Sequence, residues 1–213
     1  MPAPRLRSAL VSFSRSVKDA RDLADDAHRW STPPRPGARS QITIQRRNTL
    51  TEMAFLRAFT SWESFLEETF LLYLLGHRPP NGPMPRRFGF PQTPDSAVEW
   101  CTDGKPYAKW HIEDVQRRAN RWFKDGKPFT PALQGQQARL KQLVIIRNAI
   151  AHESQSVRDK FENLVRAELG AVPPNTTVGG FLMMTKPNST PPISFLEFYV
   201  AEILRAAQNI VPR

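Results

Sequence analysis

The amino-acid sequence predicts an all-α fold, and three observations carry this prediction. Apolar residues recur at spacings of three and four along several long segments, which is the period of one helix face. The 20 prolines cluster between those segments, where they do not interrupt helical hydrogen bonds. Strand and helix patterns do not alternate, as a Rossmann-type fold would require. We expect a four- to five-helix bundle with an N-terminal helix and a basic, proline-rich insertion.

The N-terminal region has the pattern of an amphipathic helix over residues 5–30, with an apolar stripe that begins at Leu6. The proline-rich stretch 32–37 then ends the helical pattern. We therefore assign residues 1–47 to a basic helix with a linker, and residues 48–213 to a helical domain.

The strongest helix signal runs over residues 50–75. Its wide apolar face is typical of a helix in a bundle core and consists of Phe55, Phe59, Trp62, Leu66 and Tyr73. Thr49 and Glu52 have the spacing of a capping box, which predicts the start. Gly76 predicts the end.

Three further long helices are predicted over residues 131–151, 156–169 and 193–210. Thr130 followed by proline marks the first start, and Ser194 with Glu197 forms a second capping box. Gly170 is expected to end the middle helix. Between the last two helices, only residues 178–185 fit a short extended piece.

The insertion covers about residues 77–130 and contains two shorter predicted helices, over 94–101 and 111–124. The outer face of the second is expected to carry Arg117, Arg118, Arg121 and Lys124. Aromatic residues are interleaved with these cations, a combination that holds a nucleic-acid backbone and stacks single-stranded bases. We therefore predict RNA binding by these four residues. The alternative is a solvated face over a small aromatic core.

The net charge and composition of the chain indicate which partners and which cellular compartment we expect. The 213 residues carry a net charge of +10, which favours polyanions such as RNA, although many proteins are merely basic. The single cysteine, Cys101, forms no intramolecular disulfide, which fits a reducing cytoplasm. No apolar run is long enough for a membrane span, and no export signal is visible. We expect a cytoplasmic protein without a membrane partner.

The most informative stretch is Arg147-Asn148-Ala149-Ile150-Ala151-His152, which follows an apolar run. Arginine is permanently charged, and histidine is the side chain that titrates near neutrality. A neutral imidazole can remove the proton of a ribose 2′-hydroxyl, while a guanidinium stabilises the charge on phosphorus. Such cleavage of RNA requires no metal or other cofactor. The alternative is that both residues only favour a helix C-terminus electrostatically.

Helix geometry limits how this pair can act. Five residues turn through about 500°, which leaves the side chains of Arg147 and His152 about 140° apart on a continuous helix. Asn148 and His152, four residues apart, share a face. A two-fold dimer would bring two copies of Arg147 and His152 to one groove.

The motif and its context resemble the HEPN superfamily, whose signature is Arg, four to six residues, then His, with a polar residue after Arg. Residues 61–67, Ser-Trp-Glu-Ser-Phe-Leu-Glu, resemble the upstream aromatic-Glu helix of the RiboL-PSP-HEPN-like group. The resemblance covers roughly residues 48–210 and does not explain the first 47.

The resemblance implies a helical homodimer with a metal-independent endoribonuclease site at its interface, in a toxin–antitoxin or anti-phage defence setting. Arg147 and His152 would then be catalytic, with Asn148 accessory and Glu63 orienting Arg147 from the facing helix. One alternative is a non-catalytic HEPN-fold RNA-binding or regulatory module held by an antitoxin-like or other defence-system partner. A basic helical DNA-binding module is another, but it gives the Arg–His pair no task.

The remaining histidines, His28, His77 and His111, lack metal-ligand spacing with cysteine or carboxylates. Cys101 has no activating residues nearby in the sequence. We therefore predict no metal site, and we expect these residues to have structural or surface roles.

Overall fold

The computed structural model of the chain describes residues 5–102 and 104–212. Within these ranges the helices are α1 (Arg5–Ser31), α2 (Ile44–Leu74), α3 (Pro94–Thr102), α4 (Ile112–Trp122), α5 (Phe129–Gln134), α6 (Gln137–Ala151), α7 (Gln155–Leu169), α8 (Val178–Met183) and α9 (Phe195–Ile210). A 3₁₀ turn, Lys124–Gly126, follows α4. The described residues contain no β-strand and only two isolated bridges. The predicted all-α class is confirmed.

Several helix ends lie where their local chemistry predicts them. Ser194 and Glu197 form the reciprocal capping box of α9, with backbone-to-side-chain distances of 2.8 and 3.1 Å. The Thr93 hydroxyl accepts from the Ser96 amide at 3.2 Å at the start of α3. Gly170 ends α7 in the left-handed conformation, with φ of 81°, which glycine adopts at little cost.

The predicted start of α2 is wrong, because the helix begins at Ile44 rather than near residue 50. Thr43 accepts from the Arg46 amide at 3.2 Å and so occupies the capping position. Thr49 lies inside the helix, and its hydroxyl donates to the Gln45 carbonyl. The expected capping box at Thr49 is therefore absent.

The predicted helix over 131–151 is two helices, α5 and α6, separated at Gly135 and Gln136. Thr130 does not cap α5, which already begins at Phe129. Its buried hydroxyl donates instead to the side-chain oxygen of Asn120 at 3.0 Å. A tertiary hydrogen bond has replaced the local cap.

The predicted extended piece over 178–185 is also wrong, because α8 occupies most of it. Thr177 caps this helix by accepting from the Gly180 amide at 3.0 Å. Gly179 lies against the backbone of α2, and a Cβ at this position would stand 2.2 Å from the Asn48 carbonyl oxygen. Close approach of two backbones requires glycine here.

The described chain forms two compact units, and four helices contribute residues to both, namely α1, α2, α6 and α9. The first unit comprises residues 5–15, the described part of 60–140, and 202–212. Its core is rich in buried aromatic rings, namely Phe13, Trp62, Phe65, Phe70, Phe123 and Phe129. Tyr73 donates to the Ile210 carbonyl at 2.7 Å. Burial raises the pKa of Tyr73, so its hydroxyl keeps the proton that it donates.

The second unit comprises residues 16–59 and 141–201. Its core contains the buried aromatic residues Phe55, Phe59, Phe161, Phe181, Phe195 and Tyr199. A largely buried ion pair joins Lys186 to Glu168 at 3.3 Å, and Glu168 also accepts from Gln142 at 2.8 Å. These polar contacts tie α6, α7 and the loop before α9 together.

Candidate functional site

The motif lies at the C-terminal end of α6, within the second unit. The helix is continuous to Ala151, and the His152 amide still donates to the Asn148 carbonyl at 2.9 Å. The chain then passes through Glu153 to Ser154, the N-cap of α7. The helix is therefore not broken between the two motif residues.

The three polar side chains of the motif differ in their surroundings. Arg147 is half-buried, and its guanidinium donates to the Asn148 side-chain oxygen at 3.1 Å. His152 is exposed at the helix end. Because the backbone between them is helical, the directions of Arg147 and His152 differ by about 140°. Asn148 and His152 lie on one face.

A groove of about 360 Å³ lies beside the motif, within the second unit. Ala149 of the motif, the first half of α7 and residues 172–178 form its walls. The lining combines an apolar part with a polar part, including Val157, Phe161, Arg158, Asn175 and Thr176. Its size and mixed lining are those of a small-ligand pocket.

The N-terminal end of α2 supports one wall of this groove. Asn48 donates to the hydroxyl of Thr177, a lining residue, at 2.9 Å. Arg47 in turn donates twice to the Asn48 side-chain oxygen, at 2.9 and 3.2 Å. Arg47 belongs to the basic region 1–47, and neither Arg47 nor Arg158 was predicted from the sequence to have a functional role.

Glu63 lies in α2 but belongs to the first unit. Its carboxylate oxygen is 3.7 Å from Nδ1 of His111. Arg147 belongs to the second unit, and the orientation of Arg147 by Glu63 stays a prediction.

Of the four predicted RNA-binding residues, three are on the surface. Arg117 and Arg121 are exposed on α4, and Lys124 is exposed in the 3₁₀ turn. Arg117 donates to Asp114 at 2.7 Å, so part of its charge is balanced locally. The predicted exposure of Arg118 is wrong, since only 3% of this residue is accessible.

Arg118 is held in the core of the first unit by three contacts. Its guanidinium carbon lies 4.5 Å from the ring centroid of Trp110, a favourable cation–π geometry. The guanidinium also donates to the carbonyls of Cys101 and Lys109. These contacts make Arg118 a structural residue that joins α4 to the preceding loop.

The other titratable candidates do not form a second site. Cys101 is buried, and burial together with the charge of Arg5 lowers the pKa of His77. Among the described residues, no group of three or more His, Cys, Asp or Glu is placed to hold a metal ion.

No helix within residues 5–102 and 104–212 is long and apolar enough to cross a membrane.

Comparison of the chain with family models, curated proteins and solved structures finds no match.

Proposed function

We propose that this chain is a metal-independent endoribonuclease of the HEPN type that acts as a homodimer. The observation that carries the proposal is the Arg147–Asn148–His152 set at the exposed end of α6, beside a groove of about 360 Å³. An acid–base group and a permanent cation are the parts that transesterification of RNA needs, and the adjacent groove offers room for a nucleotide.

The reaction proceeds by attack of the ribose 2′-oxygen on the adjacent phosphorus. Neutral His152 removes the 2′-hydroxyl proton, and the new P–O2′ bond forms as the P–O5′ bond breaks. The leaving 5′-oxygen takes a proton from a second, protonated imidazole. Arg147 stabilises the negative charge on the phosphorane oxygens with its planar fork. The products are a 2′,3′-cyclic phosphate and a 5′-hydroxyl.

The two-fold dimer brings together an arginine and a histidine that diverge within one chain. Arg147 and His152 of a single helix diverge by about 140°, so each half of the composite site pairs Arg147 of one protomer with His152 of the other. The second imidazole of the groove is then the proton donor to the leaving group. Asn148 fixes the Arg147 guanidinium through their 3.1 Å hydrogen bond.

The groove beside Ala149 accepts the nucleotide next to the cleaved bond. Its apolar lining residues suit a base, and Arg158 and Thr176 offer donors to phosphate and ribose oxygens. Arg47, linked to the wall through Asn48, adds a cation on the same unit.

The test is cleavage of a single-stranded RNA in the presence of EDTA. We expect His152→Ala to lower the rate by roughly 10²–10⁴-fold, because it removes the acid–base group. His28→Ala is the matched control, since His28 is exposed in α1 and has no part in the reaction. Circular dichroism and mass photometry check that fold and dimer are retained.

Two outcomes would sink the proposal. One is equal activity of the His152→Ala and His28→Ala proteins; the other is activity only with added Mg²⁺. A dimer that binds RNA without cleaving it would favour the non-catalytic module held by an antitoxin-like partner.

We further propose that the activity serves a toxin or an anti-phage effector, as the HEPN resemblance implies. Induced expression is expected to arrest growth in a bacterial host, and His152→Ala is expected to abolish the arrest. Equal arrest by both proteins at equal levels would contradict this role.

A further inference from the structure

Residues 86–90 of the first unit form a non-helical segment whose exposure alternates. Arg86, Phe88 and Phe90 are exposed, whereas Arg87 is half-buried and Gly89 is buried. The accessible fractions of the two phenylalanines are 57% and 60%. Two exposed aromatic rings thus lie two residues apart in one short segment.

Backbone hydrogen bonds hold this segment against the end of α4. The Phe88 amide donates to the Trp122 carbonyl at 2.8 Å, and the Lys124 amide donates to the Arg86 carbonyl at 2.8 Å. These hydrogen bonds fix the backbone from which the exposed rings project, so little backbone freedom remains to be lost when a ligand binds.

The close approach at Gly89 adds to this rigidity. Beneath it, the rings of Trp100 and Trp122 stack with centroids 4.8 Å apart. A Cβ at residue 89 would stand 2.4 Å from Trp100, so only glycine fits. The indoles thus form a platform that supports the segment, and they leave the two phenylalanine rings to face solvent.

Basic side chains lie close to the exposed rings in the chain and in the fold. Arg87 lies over the Phe90 ring at 5.0 Å from its centroid. Arg86 and Lys124, whose backbones are joined by a hydrogen bond, are both exposed and line a mainly apolar hollow of about 600 Å³ within the same unit. Exposed aromatic rings next to basic side chains are complementary to bases attached to a phosphate backbone.

We propose that Phe88 and Phe90 stack two bases of a single-stranded RNA, while Arg86 and Lys124 contact its phosphates. Only unpaired bases can be splayed out to stack on exposed aromatic side chains. The choice of RNA rests on the proposed function, but the binding does not require the cleavage chemistry. This surface refines the predicted RNA-binding set, because it brings in Arg86 and the two rings and leaves out buried Arg118.

The experiment measures fluorescence anisotropy of a labelled single-stranded oligouridylate in a His152→Ala background, so that the probe is not cut. We expect the Phe88→Ala/Phe90→Ala double variant to weaken binding at least tenfold, from base stacking of roughly 1–3 kcal/mol for each ring. Phe88→Tyr/Phe90→Tyr keeps both rings and is expected to bind within about twofold of the parent. Met53→Ala removes an equally exposed apolar side chain elsewhere, at 57%, and serves as the matched control.

The proposal is overturned if the double alanine variant binds as tightly as the Met53→Ala control while its circular dichroism is unchanged. It is equally overturned if a duplex RNA binds as tightly as the single strand. Failure of the cleavage assay alone leaves this test intact, because the binding measurement uses an inactive background.

Discussion

The motif at the end of α6 and the aromatic segment 86–90 have opposite chemical characters. The motif combines a titratable imidazole, a guanidinium and an amide beside a groove with few rings. Segment 86–90 presents two exposed rings and an arginine, and its backbone is pinned to the end of α4. One region has the groups that break bonds, and the other has the groups that hold a strand. Changes at the motif should therefore alter rate, and changes at the segment should alter affinity.

After the loss expected for His152→Ala, the largest effect is expected at Arg147. Arg147→Lys keeps the charge but loses the planar fork, and we expect kcat to fall by roughly 100-fold with little change in KM. Steady-state cleavage of a labelled RNA measures both constants. Arg166→Lys, an exposed residue of α7, is expected to stay within about twofold. A change in KM alone would show that Arg147 acts in substrate binding rather than in catalysis, which would contradict the contrast between the two regions.

The next effect separates two neighbouring arginines of α4. Arg118→Ala removes a buried cation–π partner and two donors to carbonyls, which should destabilise the protein by about 2–3 kcal/mol. Arg121→Ala, on the surface, is expected to change the free energy of unfolding by about 0.5 kcal/mol or less. Urea denaturation of both variants measures the difference. Equal stabilities would contradict the structural role of Arg118.

A smaller effect is expected at Gly89. Gly89→Ala places a methyl group against Trp100, and the strain should cost about 1–2 kcal/mol of stability. RNA affinity should fall with it, because the backbone that carries the neighbouring rings is displaced from its support. Gly135→Ala is the control, because Gly135 has a φ of −60° and a Cβ added there would have its nearest neighbour 4.0 Å away. A Gly89→Ala protein with unchanged stability and RNA affinity would show that the platform is not rigid.

Helix periodicity was sufficient to predict the fold class and most helices, but local capping signals were less decisive. Thr49–Glu52 and Ser194–Glu197 have the same spacing, and only the second pair caps a helix. Glu52 instead accepts from the Gly179 amide at 2.8 Å. A cap signal thus fails when a distant backbone donor competes for the same carboxylate.

Residues 178–185 show the same override by tertiary structure. Val178 and Thr185 are β-branched residues, which favour an extended chain. The segment nevertheless forms α8 over most of its length, and Gly179 is required by the approach of α8 to α2. The interleaved cations and rings of the insertion likewise did not predict which side chains are buried. The pattern does not distinguish Arg118, which is buried against a tryptophan, from Arg121, which is exposed.

At the candidate site, the motif residues could be predicted from the sequence, whereas their surroundings follow only from the folded structure. The continuous helix through Ala151 and the adjacent groove depend on how α6, α7 and residues 172–178 pack. Arg47 was missed because it lies about a hundred residues earlier in the chain. Only the folded chain links it to Thr177, through Asn48.

The central claim is that cleavage takes place at a composite site that needs both protomers. The most direct measurement purifies the heterodimer of a wild-type chain and an Arg147→Ala/His152→Ala chain, carrying different tags, and assays RNA cleavage in EDTA. No Arg147–His152 pair across the interface remains in such a dimer, so we predict a rate roughly 100-fold or more below that of the wild-type dimer. About half of the wild-type rate would contradict the composite site, because the Arg147 and His152 of one chain would then be sufficient.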